Sequence, residues 1–135
     1  MNYYLDTNIC IYFLKALYPN IADKLKQISP LNIKVPSIVK AELLFGAKKS
    51  IMSKYNLERI NLFLEPFEIV EFGDRASHIY SDIRFRTENS GRTVGPNDLI
   101  IASTVLAGNG ILVTNNVKEF QNIDGLNIEN WAVFE

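Results

Sequence analysis

The stretch Tyr3-Tyr4-Leu5-Asp6-Thr7-Asn8 decides how the rest of the chain is read. Tyr3, Tyr4 and Leu5 are aromatic or apolar and suit a short buried strand. Thr7 and Asn8 are good N-cap residues, and Ile9-Cys10-Ile11-Tyr12-Phe13-Leu14 continues as a mostly apolar helix. Asp6 then falls at the carboxyl end of an inner strand, where open α/β sheets hold their ligands. Locally, a simpler reading makes Asp6 itself a helix cap, since capping acids are common at strand-to-helix turns. Which role dominates depends on whether other carboxylates converge on the same sheet edge.

Working outward, strand-like and helix-like stretches alternate. Ile21, Leu25 and Ile28 recur at helical spacing until Ser29-Pro30. Leu31-Asn32-Ile33-Lys34-Val35 alternates as a second strand, and Pro36-Ser37 opens a helix running to Lys48-Lys49. A further helix covers Ser53 to Leu64, and Glu68-Ile69-Val70-Glu71-Phe72 reads as a short strand. Gly73-Asp74 caps a helix that ends near Asn89-Ser90-Gly91. Asn97 or Asp98 opens a strongly apolar helix to Ala107; Ile111-Leu112-Val113-Thr114 is a buried strand; Asn115-Asn116 starts a short helix toward Phe120. Leu126 to Trp131 reads as a last strand. This alternation predicts an α/β fold with a mainly parallel sheet covered on both faces. At 135 residues, with no repeat or linker, the chain reads as one domain over residues 1–135.

Composition narrows the partners. Fourteen basic and 15 acidic residues give a net charge of -1, so there is no strongly basic nucleic-acid footprint. Binding of nucleic acid would need a local basic patch, a metal ion or a second subunit. Cys10 is the one cysteine, so no intramolecular disulfide forms. No secretory leader or membrane-length apolar run is visible, and a cytoplasmic location is the default expectation.

Three further acids fall near the predicted edge. Glu42 sits among apolar residues on the helix after the second strand. Asp98 opens the apolar helix, and Glu119 follows the strand ending at Thr114. Each alone is explained as a surface or first-turn acid. Together they put like charges at one edge, where repulsion needs a cation or protons to offset it. No histidine or cysteine joins them, which argues against zinc and for Mg²⁺, with Mn²⁺ as the alternative. Such a site suits metal-dependent hydrolysis of a phosphodiester.

The chain resembles the PIN-domain ribonucleases, and specifically the VapC-type toxins of bacterial toxin–antitoxin pairs. The resemblance rests on Leu5-Asp6-Thr7-Asn8, Ala41-Glu42-Leu43 with Gly46, Gly95-Pro96-Asn97-Asp98-Leu99-Ile100-Ile101-Ala102, and Leu112 to Phe120, in that order. It implies a three-layer α/β/α sandwich and a Mg²⁺-dependent endoribonuclease. It further implies that Asp6, Glu42 and Asp98 hold metal. Many relatives carry Asp where this chain has Asn116, and others an acid at Glu119; the expected fourth ligand is Glu119, with Asn116 as its polar neighbour. Thr7, Asn8 and Thr114 look like polar supports. Relatives of this type often cut a transfer RNA, form homodimers, and are inhibited by a VapB-type antitoxin in a heterotetramer or larger complex.

Lys40, Lys48, Lys49, Arg84, Arg86 and Arg92 are candidates for the RNA backbone, although each is also explained as ordinary solvated surface. Two other enzyme classes fit poorly. A haloacid-type phosphatase should carry a second Asp where Asn8 stands, and a receiver domain should carry its acceptor Asp and Lys where Phe72-Gly73-Asp74 and Thr114-Asn115 offer poor matches. The alternative outside catalysis is an inactive PIN-like module that binds RNA or protein, and the intact Asp6, Glu42 and Asp98 count against it.

Overall fold

The computed structural model describes residues 1–134. Five short strands are β1 (Tyr3–Leu5), β2 (Ile33–Pro36), β3 (Glu68–Val70), β4 (Ile111–Val113) and β5 (Asn127–Glu129). The helices are α1 (Thr7–Leu14), α2 (Pro19–Gln27), α3 (Ser37–Lys48), α4 (Ser53–Leu64), α5 (Asp74–Asn89), α6 (Pro96–Ala107) and α7 (Val117–Phe120). All strand pairings are parallel, in the order β3-β2-β1-β4-β5. The chain therefore builds outward from β1 to β2 and β3, then returns to the other side of β1 for β4 and β5. This reversal makes the carboxyl ends of β1 and β4 the switch point of the sheet, the usual ligand crevice of an open α/β fold.

Strand interiors read as apolar because the sheet is covered: Leu5, Ile33, Val35, Leu112 and Val113 are fully buried. Helix α6 is apolar nearly all round, and Leu99, Ile101, Ala102 and Val105 are buried where it packs against α5, α3, β2 and β4. Its buried Ser103 and Thr104 hydroxyls donate to the Leu99 and Ile100 carbonyls at 2.6 and 2.8 Å, so neither is left without a partner. No described helix is long and apolar enough to cross a membrane.

Several boundaries differ from the sequence reading. Leu31 and Asn32 belong to a 3-10 turn, Pro30–Asn32, and not to β2. Pro30 presets φ for that turn, and the Ser29 hydroxyl accepts from the Leu31 N–H at 3.3 Å. β3 stops at Val70, leaving Glu71 and Phe72 outside the ladder. β5 is likewise shorter than expected, Asn127–Glu129. The N-cap of α1 is Asp6 and not Thr7 or Asn8: its Oδ1 accepts from the Thr7 N–H at 2.8 Å.

The hairpin from α6 into β4 turns over Tyr4. A β-carbon on Gly110 would fall 2.6 Å from Tyr4 Cδ1 and 3.0 Å from the Asn2 carbonyl oxygen. Tyr4 is buried and cannot swing clear. Gly110→Ala is expected to destabilise the protein by about 1–3 kcal/mol, read as a lower urea midpoint at unchanged m. An unchanged midpoint would show that this turn has slack.

Candidate active site

Asp6 leaves β1 with its backbone N–H bonded to the Val113 carbonyl at 3.0 Å, so it still belongs to the sheet when α1 begins. It is only 6% exposed. While Oδ1 caps α1, Oδ2 accepts at 2.6 Å from the hydroxyl of Thr114, the residue just past β4. Capping and facing the crevice are thus two uses of one carboxylate. Burial raises the Asp6 pKa above its usual range; the Thr114 and Thr7 hydrogen bonds oppose this, and the charges of Glu42 and Glu119 add to it.

The same hydrogen bonds lead to the other acids. Thr7, in the first turn of α1, donates its hydroxyl to Glu42 Oε1 of α3 at 2.8 Å. Thr114, besides donating to Asp6, accepts from the Asn116 N–H at 3.0 Å. Asn116 in turn donates its side-chain amide to Glu119 Oε2 at 2.9 Å, and Glu119 Oε1 accepts from the Gly95 N–H at 2.9 Å. That last bond closes the circuit onto the loop before α6, whose first turn carries Asp98. The relation between Asn116 and Glu119 is therefore donor to acceptor: an amide at position 116 orients the carboxylate at 119, where a second acid would repel it.

Asp98 is the most perturbed of the four acids. Its pKa is raised to about 7, first by burial and then by the charges of Glu119, Asp6 and Glu42. Glu119 goes the other way, lowered chiefly by the Gly95 N–H and also by Asn116. Glu42, Asp6, Asp98 and Glu119 thus come from four elements and share one electrostatic environment. Asp6, Glu42 and Glu119 are each held by their own donors, and among the described residues no three acidic, histidine or cysteine groups are drawn tightly enough together to be ready metal ligands. The donor set is all oxygen, which fits a hard divalent cation in kind. His78 is exposed on α5 beside Asp74, and Cys10 is fully buried with its thiol pKa pushed up by burial. Neither is placed to join the four.

Metal-free protein should therefore lose stability as pH rises. Asp98 and Asp6 have raised folded pKa values, so their contribution is complete below the unfolded carboxylate range and is lost as pH rises through the folded value, about 7 for Asp98. Glu119, lowered on folding, acts oppositely and only at the acid end. Thermal unfolding in chelator should give a lower Tm at about pH 8 than at about pH 5.5. Asp98→Asn should flatten that slope; an unchanged slope would place the titration elsewhere.

The other expected site residues divide. Thr7, Thr114 and Asn116 all bear on the acids, whereas Asn8 is exposed and its side chain makes no hydrogen bond among the described residues. Lys48 is exposed at the end of α3, and the Lys49 ammonium lies 4.9 Å from the Phe45 ring centroid. Arg84 is tied to Glu88 at 2.7 Å and to the Tyr80 hydroxyl at 3.0 Å. Arg86 and Arg92 line a cleft with Ile83, Asn122 and Ile123, between α5 and the turn after α7. Gly95 opens the motif that carries Asp98, but its role in holding Glu119 is not marked by the sequence. Its bond to Glu119 depends on two loops meeting in space.

The PIN domain family model matches residues 3–126 of the chain. Ribonuclease VapC2 of Rickettsia felis is 40% identical over 132 residues, 97% of this chain and 98% of that protein. The tRNA(fMet)-specific endonuclease VapC of Shigella flexneri is 32% identical over 98% of this chain and 99% of its own length. Among solved structures, VapBC2 from Rickettsia felis bound to a DNA fragment from their promoter superimposes with a TM-score of 0.92 at 39% identity, covering 97% of this chain and 99% of that one. VapBC-1 from nontypeable Haemophilus influenzae does so with a TM-score of 0.89 at 35% identity, covering 98% and 100%. With the acids of its four motifs gathered at the switch point of a parallel sheet, the chain belongs to the PIN-domain family, and within it to the VapC ribonucleases of toxin–antitoxin pairs.

Proposed function

We propose that the protein is a Mg²⁺-dependent endoribonuclease toxin, with Mn²⁺ as an alternative metal, that cuts a transfer RNA and is restrained by a VapB-type antitoxin. The observation that carries this reading is the hydrogen-bonded chain Glu42–Thr7–Asp6–Thr114–Asn116–Glu119, which orients three acids toward the crevice that Asp98 also flanks. Asp6, Glu42, Asp98 and Glu119 would hold the metal, which when bound supplies phosphoryl polarisation and a water of lowered pKa. The protein's own contribution is orientation. Thr114 and the Thr7 N–H fix both oxygens of Asp6, so the carboxylate needs no rotamer search when RNA arrives. Asn116 and Gly95 fix Glu119 in the same way. Transfer RNA enters as a proposal because a tRNA(fMet)-specific endonuclease aligns over nearly the whole chain.

An antitoxin has a fitting surface beside Glu42. A groove of ≈ 290 Å³ runs between α1, α3 and α4, floored by Ile11, Leu43 and Ile60 and edged by Lys15, Glu42 and Arg59. An apolar helix with a basic side chain would fill the groove and reach Glu42. Near it, Phe45, Ile51, Met52, Tyr55 and Leu62 are exposed, enough apolar surface for a partner or second copy. The same reading places the homodimer and the larger antitoxin complex on this side, and the protein in the cytoplasm with its RNA.

Incubation of purified protein with a panel of RNAs including total tRNA tests the proposal. Discrete fragments should form with Mg²⁺ and vanish with EDTA, and sequencing their 5′ ends should identify the RNA. Cutting that persists in EDTA would overturn the metal assignment.

A further inference from the structure

We propose that the cleft between the end of α5 and the turn after α7 is a phosphate subsite for the RNA strand, held by Arg86 and Arg92. It rests on the ribonuclease reading and extends it from the point of cleavage to the strand leading away from it. The cleft measures ≈ 280 Å³, with Ile83 and Ile123 as its apolar lining and Arg86, Ser90, Arg92 and Asn122 among its polar groups. Asp124 also lines it, so the lining itself holds two guanidiniums and one carboxylate, a net charge of about +1.

Neither Arg86 nor Arg92 is in an ion pair among the described residues. Arg92 Nη1 donates to the Asn122 carbonyl at 3.0 Å, which ties the two walls together and leaves its other N–H groups free of recorded bonds. Arg86 makes no side-chain hydrogen bond among the described residues and is exposed. Two like charges over one cleft repel, and a phosphate between them removes that repulsion while matching the planar fork of each guanidinium. Two of the other candidate cations are less free: Arg84 is occupied by Glu88 and Tyr80, and Lys49 lies over Phe45.

Position ties this cleft to the acids. Arg92 lies three residues before Gly95, whose N–H holds Glu119, and Asn122 lies three residues after Glu119. Three residues span at most about 10 Å, so both walls of the cleft begin where the acidic site ends. One RNA strand can therefore touch Glu119 and the guanidiniums together.

The test uses full-length protein carrying Asp6→Asn to prevent cutting, with two fluorescent probes: a mixed-sequence single-stranded RNA and total tRNA. Adding Arg86→Gln and Arg92→Gln should weaken binding of both about 10-fold and lower the slope of log affinity against log salt by about two. Arg84→Gln should stay within about twofold, because that guanidinium is already paired. In the cutting protein, Arg86→Gln should raise KM at unchanged kcat. If Arg92→Gln unfolds the turn, Arg86→Gln alone carries the test, since Arg86 supports no other residue by a recorded bond. Unchanged RNA affinity and salt slope in the Arg86 variant would overturn the subsite. So would loss of binding to purified antitoxin with RNA binding intact. Arginine-dependent binding by a wild type that cuts no RNA would keep the subsite and overturn the nuclease reading; metal-dependent cutting with arginine-independent binding would do the reverse.

Discussion

Asp6→Asn is expected to lower RNA cleavage by at least about 10³-fold while leaving the fold in place. A charge at the centre of a metal-assisted site contributes several kcal/mol to the transition state, and 1.36 kcal/mol is tenfold in rate. The structural consequences are smaller and partly cancel. Oδ1 of the introduced amide can still accept from the Thr7 N–H and cap α1. Its NH₂ group, however, now meets the Thr114 hydroxyl, which already accepts from the Asn116 N–H and would have to redirect its own proton. That costs about 1 kcal/mol. Against it stands relief of a buried charge repelled by Glu42 and Glu119. Tm should move by no more than a few degrees. Circular dichroism and cleavage measured on the same preparation separate the two effects. Loss of cooperative unfolding would mean that the cap, and not the charge, is the larger role of Asp6.

Trp131→Ala carries the largest expected loss of stability, about 3–5 kcal/mol. Trp131 is 1% exposed and lies just beyond β5. Its ring centroid is 5.5 Å from that of Tyr3, its Nε1 donates to Glu129 at 2.9 Å, and its carbonyl accepts from Asn20 of α2 at 3.2 Å. The side chain thus fastens the segment after β5 onto β1, while the tie to α2 runs through the backbone carbonyl, which the alanine variant keeps. For a chain of this size the loss corresponds to a fall in Tm of about 10–15 °C. Trp131→Phe should recover part of it by keeping the volume and giving up the indole bond to Glu129. A fall of only a degree or two in the alanine variant would mean that the C-terminal segment adds little to the core.

The strand-to-helix alternation was legible because parallel strands buried on both faces are written as apolar runs, as in Ile111-Leu112-Val113. Strand ends were less legible: Pro30 and Ser29 impose a turn on Leu31 and Asn32 by local bonds that outrank the alternation in their sequence. The convergence of Asp6, Glu42, Asp98 and Glu119 could be inferred from the edge that strand order predicts. Which donors hold Asp6, Glu42 and Glu119 could not. Thr7 reaching Glu42 crosses 35 positions and Thr114 reaching Asp6 crosses 108, and such bonds exist only after the sheet has formed. Arg84 is a different case. Its pairing with Glu88 is an i,i+4 relation that the sequence displays, and reading it would have shown that Arg84 has an intrahelical partner. Asn8 was grouped with Thr7 and Thr114 as a polar support by the family resemblance; in the structure the turn of α1 leaves it exposed and without a side-chain hydrogen bond among the described residues.

The central claim is that these four acids form one divalent-cation site. Thermal unfolding at about pH 7.5, with Mg²⁺ against chelator, tests it most directly in wild type and Asp6→Asn side by side. Saturation near 100 times the dissociation constant should stabilise the wild type by about 2.7 kcal/mol and leave the variant unmoved. An equal Mg²⁺ response in both proteins, or none in a wild type that still cuts RNA in chelator, would contradict it.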